Sequence, residues 1–262
     1  MACHLRVGVV GLWQVYENRR LSQRLLCEPQ LGQIIAEKTH NKGKVMTDFS
    51  LVIGNRNYSS WSLRPWLALK MADIAFDEII IPLDEPTTRE EILKHTPSGR
   101  VPVLKHGDLT IWDSLAICEY LAEQAPAAQL WPAEPADRAV ARAVASEMHS
   151  GFTALRDNMP MNIRSRFPYQ GRALGVMEDI NRVTAIWRRC RQRFGAGGDF
   201  LFGRFSIADA MFAPVVTRFQ TYAVDVDTVE QDYMQAILAL PAMREWIAAA
   251  GREPWIIDTA EF

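Results

Sequence analysis

The sequence predicts an α/β domain followed by an all-helical domain, and three observations carry that expectation. Short apolar runs rich in β-branched residues alternate with helical patterns from residue 50 to about 125. A Pro/Ala stretch, APAAQLWPAEP (125–135), then interrupts the chain. Beyond it only helical periodicity remains. The 262 residues, 48% hydrophobic and 23% charged, have an ordinary globular composition with ample material for a core. No apolar run reaches the roughly 18 residues a membrane-spanning helix needs, so no membrane partner is expected. The net charge of -2 argues against nucleic acid as the main partner.

In chain order, SLVIG (50–54) reads as a strand and RPWLALKMAD (64–73) as a helix with Pro65 in its first turn, where the missing N–H costs little. FDEIIIPL (76–83) is a strand, and TTREEILKH (87–95) a short polar helix. VPVLKH (101–106) and LTIW (109–112) flank Gly107-Asp108, a two-residue hairpin signal. DSLAICEYLAEQ (113–124) reads as a helix. The order β-α-β-α-β-β-α gives a mixed four-stranded sheet with helices packed on it. In the second half, residues 136–157 read as one helix. Val176, Ile180, Val183, Trp187, Cys190 and Phe194 mark another that stops at GAGG (195–198). SIADAMFAPVVTRFQTY (206–222) is a helix expected to bend at Pro214, and PAMREWIAAAG (241–251) runs from proline to glycine. The expected domains are 47–127 and 134–255.

Residues 1–46 carry seven Lys/Arg and three Asp/Glu, a net of +4, leaving -6 for the rest. They show no sustained periodicity. No small-residue cleavage site suits a secretory signal, and the arginines of a transit peptide are offset by Glu17, Glu28 and Glu37. The plain expectation is a poorly ordered extension, or a start placed too early with Met46 as the first residue. Four cysteines, Cys3, Cys27, Cys118 and Cys190, form no C-x-x-C pair and no metal-ligand pattern, so no metal is expected. Cys118 and Cys190 fall on apolar helix faces, and a reducing, cytoplasmic compartment follows.

Four stretches stand out. NRNYSSWSLRPW (55–66) puts a tyrosine and three serines between a strand and a helix, where backbone N–H groups converge on an anion. PSGRVPVL (97–104) places Pro102 at a strand start; it is either a plain entry proline or half of a cis Val101–Pro102 bond. DSLAICEYL (113–121) sets Asp113 and Ser114 at a helix N-terminus, where Asp is a good cap. SIAD (206–209) is a capping box, in which Ser206 and Asp209 fold the protein and do no chemistry.

Together these motifs resemble the cytosolic glutathione transferase family over roughly residues 50–250. The resemblance implies a thioredoxin-like first domain, an all-α second domain, glutathione as co-substrate and a homodimer. It implies that Val101, flanked by Arg100 and Pro102, pairs its backbone with the cysteinyl unit of glutathione. Asp113 and Ser114 would hold the γ-glutamyl ammonium and carboxylate. Most members carry Glu or Gln at the place of Asp113, so the shorter side chain shifts the geometry. YSSWSLRPWLALK resembles the zeta-like S-S-C-x-x-R-x-x-x-A-L pattern, which puts Ser59 in the thiol-activating role, Ser60 second and Tyr58 third. Trp61 departs from it, standing where that pattern has cysteine, and so weakens a carry-over of maleylacetoacetate isomerase activity.

Lowering a thiol pKa from about 8.5 by about two units takes roughly 2.7 kcal/mol. One hydrogen bond to the thiolate plus a helix N-terminus supplies that order of energy. The second substrate, a small electrophile, is expected against HSGFTALRDNMPMNIRSRF (149–167). There Met159, Met161 and Phe167 offer adaptable apolar surface. Arg164, with Arg156 and Arg166, could clamp a carboxylate or line a solvated face. His149 reads as structural. The leading reading is a glutathione transferase of serine type. Glutathione-dependent isomerisation or dehalogenation is the enzymatic alternative, and a non-catalytic binding or regulatory module is the rival from another class.

Overall fold

The computed structural model describes residues 48–262, so the expectation for residues 1–46 lies outside the described residues. Four strands form one sheet: β1 (Phe49–Ile53), β2 (Asp77–Ile80), β3 (Val103–His106) and β4 (Leu109–Trp112), in the order β2-β1-β3-β4. β1 runs parallel to β2 and antiparallel to β3, and β3 turns into β4 through Gly107, at φ +56°. Alternation along β1 sorts its side chains to the two faces. Leu51 and Ile53 join the main core, with α1 (Ser60–Met71) and α3 (Ser114–Gln124) against it. Val52 joins a smaller cluster with Ile81, Val103 and Ile92 of α2 (Thr88–Leu93). All three β1 residues are fully buried, as a central strand covered on both faces must be.

Helix α1 begins four residues before its expected start at residue 64. The Ser59 side chain caps it by accepting from the Ser62 N–H, so nucleation occurs at the hydroxyl cluster rather than at the proline. Ser60 and Ser62 therefore lie inside the helix, and Pro65 sits in its interior. The expected single helix 136–157 is two helices, α4 (Pro135–Ser150) and α5 (Thr153–Asn158). The break falls at Gly151 and Phe152. A Cβ at Gly151 would meet the Glu147 carbonyl at 2.8 Å, and Phe152 has φ +60°. Helix α6 (Val176–Phe194) stops at Gly195 as its pattern requires. α7 (Ile207–Thr221) is buried along nearly its whole length and packs on both α1 and α4. Its capping box forms: Ser206 N–H and Oγ both bond Asp209 Oδ2, at 2.8 and 2.9 Å. Helix α8 (Thr228–Ala239) was not among the expected elements; α9 (Pro241–Ala250) was. Among the described residues no helix is long and apolar enough to cross a membrane.

Candidate active site

The entry to β3, the end of β4 and the first turn of α3 open onto a cavity of about 560 Å³. It is lined by Ser98, Arg100, Val101, Pro102, Trp112, Asp113 and Ser114 of the α/β half, by Trp61 of α1 and by Arg156 of α5. The Val101–Pro102 bond is cis. Neither the N–H nor the C=O of Val101 is bonded to another described residue, which leaves both free for an extended peptide.

Asp113 caps α3 with one carboxylate oxygen and faces α4 with the other. Oδ1 accepts from the N–H groups of Leu115 and Ala116 at 2.9 and 3.1 Å, and Oδ2 lies 3.1 Å from His149 Nε2. Its φ of +77° is a costly conformation for a residue with a Cβ, of the kind that collects at functional sites. Ser114, 1% exposed, has an Oγ with no hydrogen-bond partner among the described residues. A buried hydroxyl left so costs about 1–3 kcal/mol, which a ligand carboxylate would relieve.

Excess positive charge lies around Trp61 of the wall and behind it. Arg64 and Arg156 lie over the Trp61 ring, their Cζ atoms 4.3 and 4.5 Å from its centroid. Arg64 is 1% exposed, and its Nε and Nη1 find no hydrogen-bond partner among the described residues. Burial, with Arg218 and Arg156 adding, pushes its pKa down to about 9; Cys118 and Asp113 act the other way. Arg218 is likewise brought down to about 10 by burial and by Arg156. Both guanidinium groups still stay charged at neutral pH. A buried cation with unbonded N–H groups is costly, and in this cluster Arg64 is that cation, while Arg218 donates to the Met159 carbonyl and Ser60 Oγ.

The five residues expected to hold glutathione thus meet at one cavity wall. None of the three hydroxyl residues Tyr58, Ser59 and Ser60 lines the cavity. Ser59, 4% exposed, donates to Ser62 Oγ at 2.8 Å. Tyr58 donates to Glu261 Oε1 at 2.7 Å. Ser60 Oγ accepts from Arg218 Nη2 at 3.3 Å and has no acceptor for its own proton among the described residues. The residues expected to line the second-substrate site are not at the cavity. Met159 and Met161 are buried in the core, Phe167 packs on Tyr222 and Phe262, and Arg164 donates to the carbonyls of Glu253 and Trp255. Trp112 and Arg64 went unassigned in the sequence. Trp112 ends a strand beside the Asp113 cap, and Arg64 is the arginine of the S-S-x-x-x-R spacing; both signals were present.

Two family models match the chain in order: the glutathione S-transferase N-terminal domain over residues 58–124, and the C-terminal domain of the same family over 138–249. The chain belongs to the glutathione S-transferase family. A maleylacetoacetate isomerase from Rattus norvegicus is 29% identical over 195 residues, covering 72% of the chain and 87% of that protein. A probable maleylacetoacetate isomerase from Vibrio cholerae is 28% identical over 218 residues, covering 78% and 98%. Among solved structures, a glutathione transferase homolog from Burkholderia with bound glutathione superposes with a TM-score of 0.59 at 22% identity, covering 77% of this chain and 97% of that one. The chain has an α/β domain followed by a helical domain, with the cavity at the cis-proline edge of the first.

Proposed function

We propose that the protein binds glutathione along the Val101–Ser114 wall and adds its thiolate to a small electrophile that carries an anionic group. The observation that supports this most is the pairing of two unmet demands, one in the cavity wall and one behind its Trp61. Ser114 Oγ is a buried, unpartnered donor at a helix N-terminus, and Arg64 is a buried, unpartnered cation. The first suits the γ-glutamyl carboxylate; the second suits a carboxylate on the other substrate.

Thiol activation is assigned to a serine at the head of α1. Ser60 takes precedence over Ser59 and Tyr58, because its proton alone is uncommitted and its oxygen accepts from a guanidinium. Such an acceptance polarises the hydroxyl and strengthens its own donation. Ser59 then serves as the cap that presents Ser60. The family resemblance supports a homodimer with a detoxifying or catabolic role. The two buried, unpaired thiols Cys118 and Cys190 suit a cytoplasmic setting.

The cation excess, together with the names of the relatives, favours a second reading: cis–trans isomerisation of an acidic substrate. Both readings share thiolate addition as a first step and differ in its fate. In transfer, the new C–S bond persists and the leaving group or proton completes the product. In isomerisation, the bond forms, the adjacent carbon–carbon bond rotates, and the same C–S bond breaks to return glutathione. Incubating the enzyme with limiting glutathione and a cis-unsaturated dicarboxylate separates them. Recycling predicts many turnovers per glutathione; conjugation predicts one. No turnover of acidic electrophiles, with efficient turnover of neutral ones, would contradict the anionic assignment.

A further inference from the structure

The loop between β1 and α1 turns the N–H groups of Arg56 and Asn57 away from any strand or helix partner, and the chain supplies its own anion to them. The Glu253 carboxylate accepts from Arg56 N–H through Oε1 at 2.8 Å and from Asn57 N–H through Oε2 at 3.0 Å. Glu253 is 9% exposed and lies 197 and 196 positions from these partners. Trp246 Nε1 of α9 donates to the Arg56 carbonyl at 3.0 Å, so the peptide is held from both sides. Farther on, Glu261 Oε1 accepts from Tyr58 OH at 2.7 Å and from Asn162 Nδ2 at 2.9 Å. Arg164 closes the ring by donating to the carbonyls of Glu253 and Trp255, each at 2.5 Å, and to Tyr58 OH at 3.0 Å. Asn57, fully buried, bonds Asn162 Oδ1 and the Arg164 N–H at 2.9 Å each.

A near-buried carboxylate is tolerated where charged-group hydrogen bonds replace its hydration. Here those bonds go to the peptide units immediately before the hydroxyl cluster, not to the tail's own surroundings. That loop leads directly into the Ser59 cap of α1, so its direction bears on where Ser59 and Ser60 stand. From these contacts, resting on the glutathione-dependent reading above, we infer that residues 253–261 form a strap that positions the thiol-activating end of α1. Glu253 is its positioning residue, and Glu261 keeps the Tyr58 hydroxyl committed away from the thiol. Neither glutamate lines the cavity, so glutathione's peptide contacts do not depend on them.

The test uses the full chain and the variants Glu253→Gln and Glu261→Ala. A glutamine offers one acceptor and a competing donor to two backbone N–H groups, so one bond must be lost. Hydrogen exchange at Arg56 and Asn57 should quicken at least about tenfold in Glu253→Gln without added glutathione. In the same variant kcat should fall about tenfold and the pKa of the bound thiol should rise by about one unit. KM for glutathione should stay within about threefold, because Val101, Asp113 and Ser114 are untouched. A folded Glu253→Gln enzyme with wild-type exchange, or with wild-type kcat and thiol pKa, overturns the strap. If Glu253→Gln does not fold, Glu261→Ala decides: kcat should fall at constant KM, and an unchanged kcat overturns the inference. Wild type that binds no glutathione overturns the enzymatic reading and the catalytic part of the inference with it. Normal binding with unaffected variants overturns the inference alone.

Discussion

His149 sits where three charged neighbours meet. Its Nε2 faces Asp113 Oδ2, its ring packs edge-on against Trp61, and Arg64 and Arg156 lie close enough to oppose its protonation. Burial is the main cause that lowers its pKa below the usual value, and Asp113 only partly offsets it. The native state therefore binds fewer protons than the unfolded chain between the folded pKa and about 6.5. Its contribution to stability is full above about pH 6.5 and is lost as pH falls through that window. Asp209, raised to about 6 by burial, works in the opposite direction over the adjoining range, so wild type must be compared with a variant. His149→Phe, which keeps the ring, should make urea stability fall less steeply from pH 6.5 to 5; parallel curves would contradict this. Legibility at this scale was uneven. Asp113 and Ser114 could be read because a cap at a helix start announces itself. Arg64 stood in a readable S-S-x-x-x-R spacing, but its unbonded guanidinium nitrogens show only in the packing.

Among the elements, the helix ends carry the most information. The capping box of α7 was legible as SIAD because its partners are local: the bond pattern needs only a serine and an acid three residues apart. Asp209 Oδ1 reaches further and accepts from Leu201 N–H at 3.0 Å, tying the preceding turn to the helix. Ser206→Ala should cost about 1–2 kcal/mol in urea unfolding with glutathione affinity unchanged. A loss below about 0.3 kcal/mol would mean the Asp209 bonds alone hold that end. The start of α1 was read four residues late because Pro65 looked like a first-turn residue. The Ser59 cap and the Gly54 N–H bond to Ser62 Oγ at 3.1 Å set the start instead. That shift matters functionally, since it puts Ser60 inside the first turn and against Arg218 of α7. The break at Gly151 was likewise hidden within a continuous apolar period, and it swings α5 so that Arg156 faces the cavity.

At the level of the molecule, work is divided between sequence-distant parts. The α/β half supplies the cis-proline edge and the α3 N-terminus, both visible in short motifs. The helical half supplies His149, Arg156 and Arg218, whose placement depends on how α4 packs on α3, α7 on α1 and α5 on α6. No local pattern encodes such contacts, and the expected second-substrate residues Met159 and Met161 went to the core for the same reason. In the proposed reaction a polarised serine hydroxyl at the head of α1 stabilises the glutathione thiolate. The most direct measurement is thiolate absorbance against pH for glutathione bound to wild type, Ser60→Ala and Ser59→Ala. The account predicts a bound thiol about two units below its free value in wild type, restored toward about 8.5 in Ser60→Ala, with Ser59→Ala intermediate. A depressed pKa that survives in Ser60→Ala, or glutathione bound with an unshifted thiol in wild type, would contradict it.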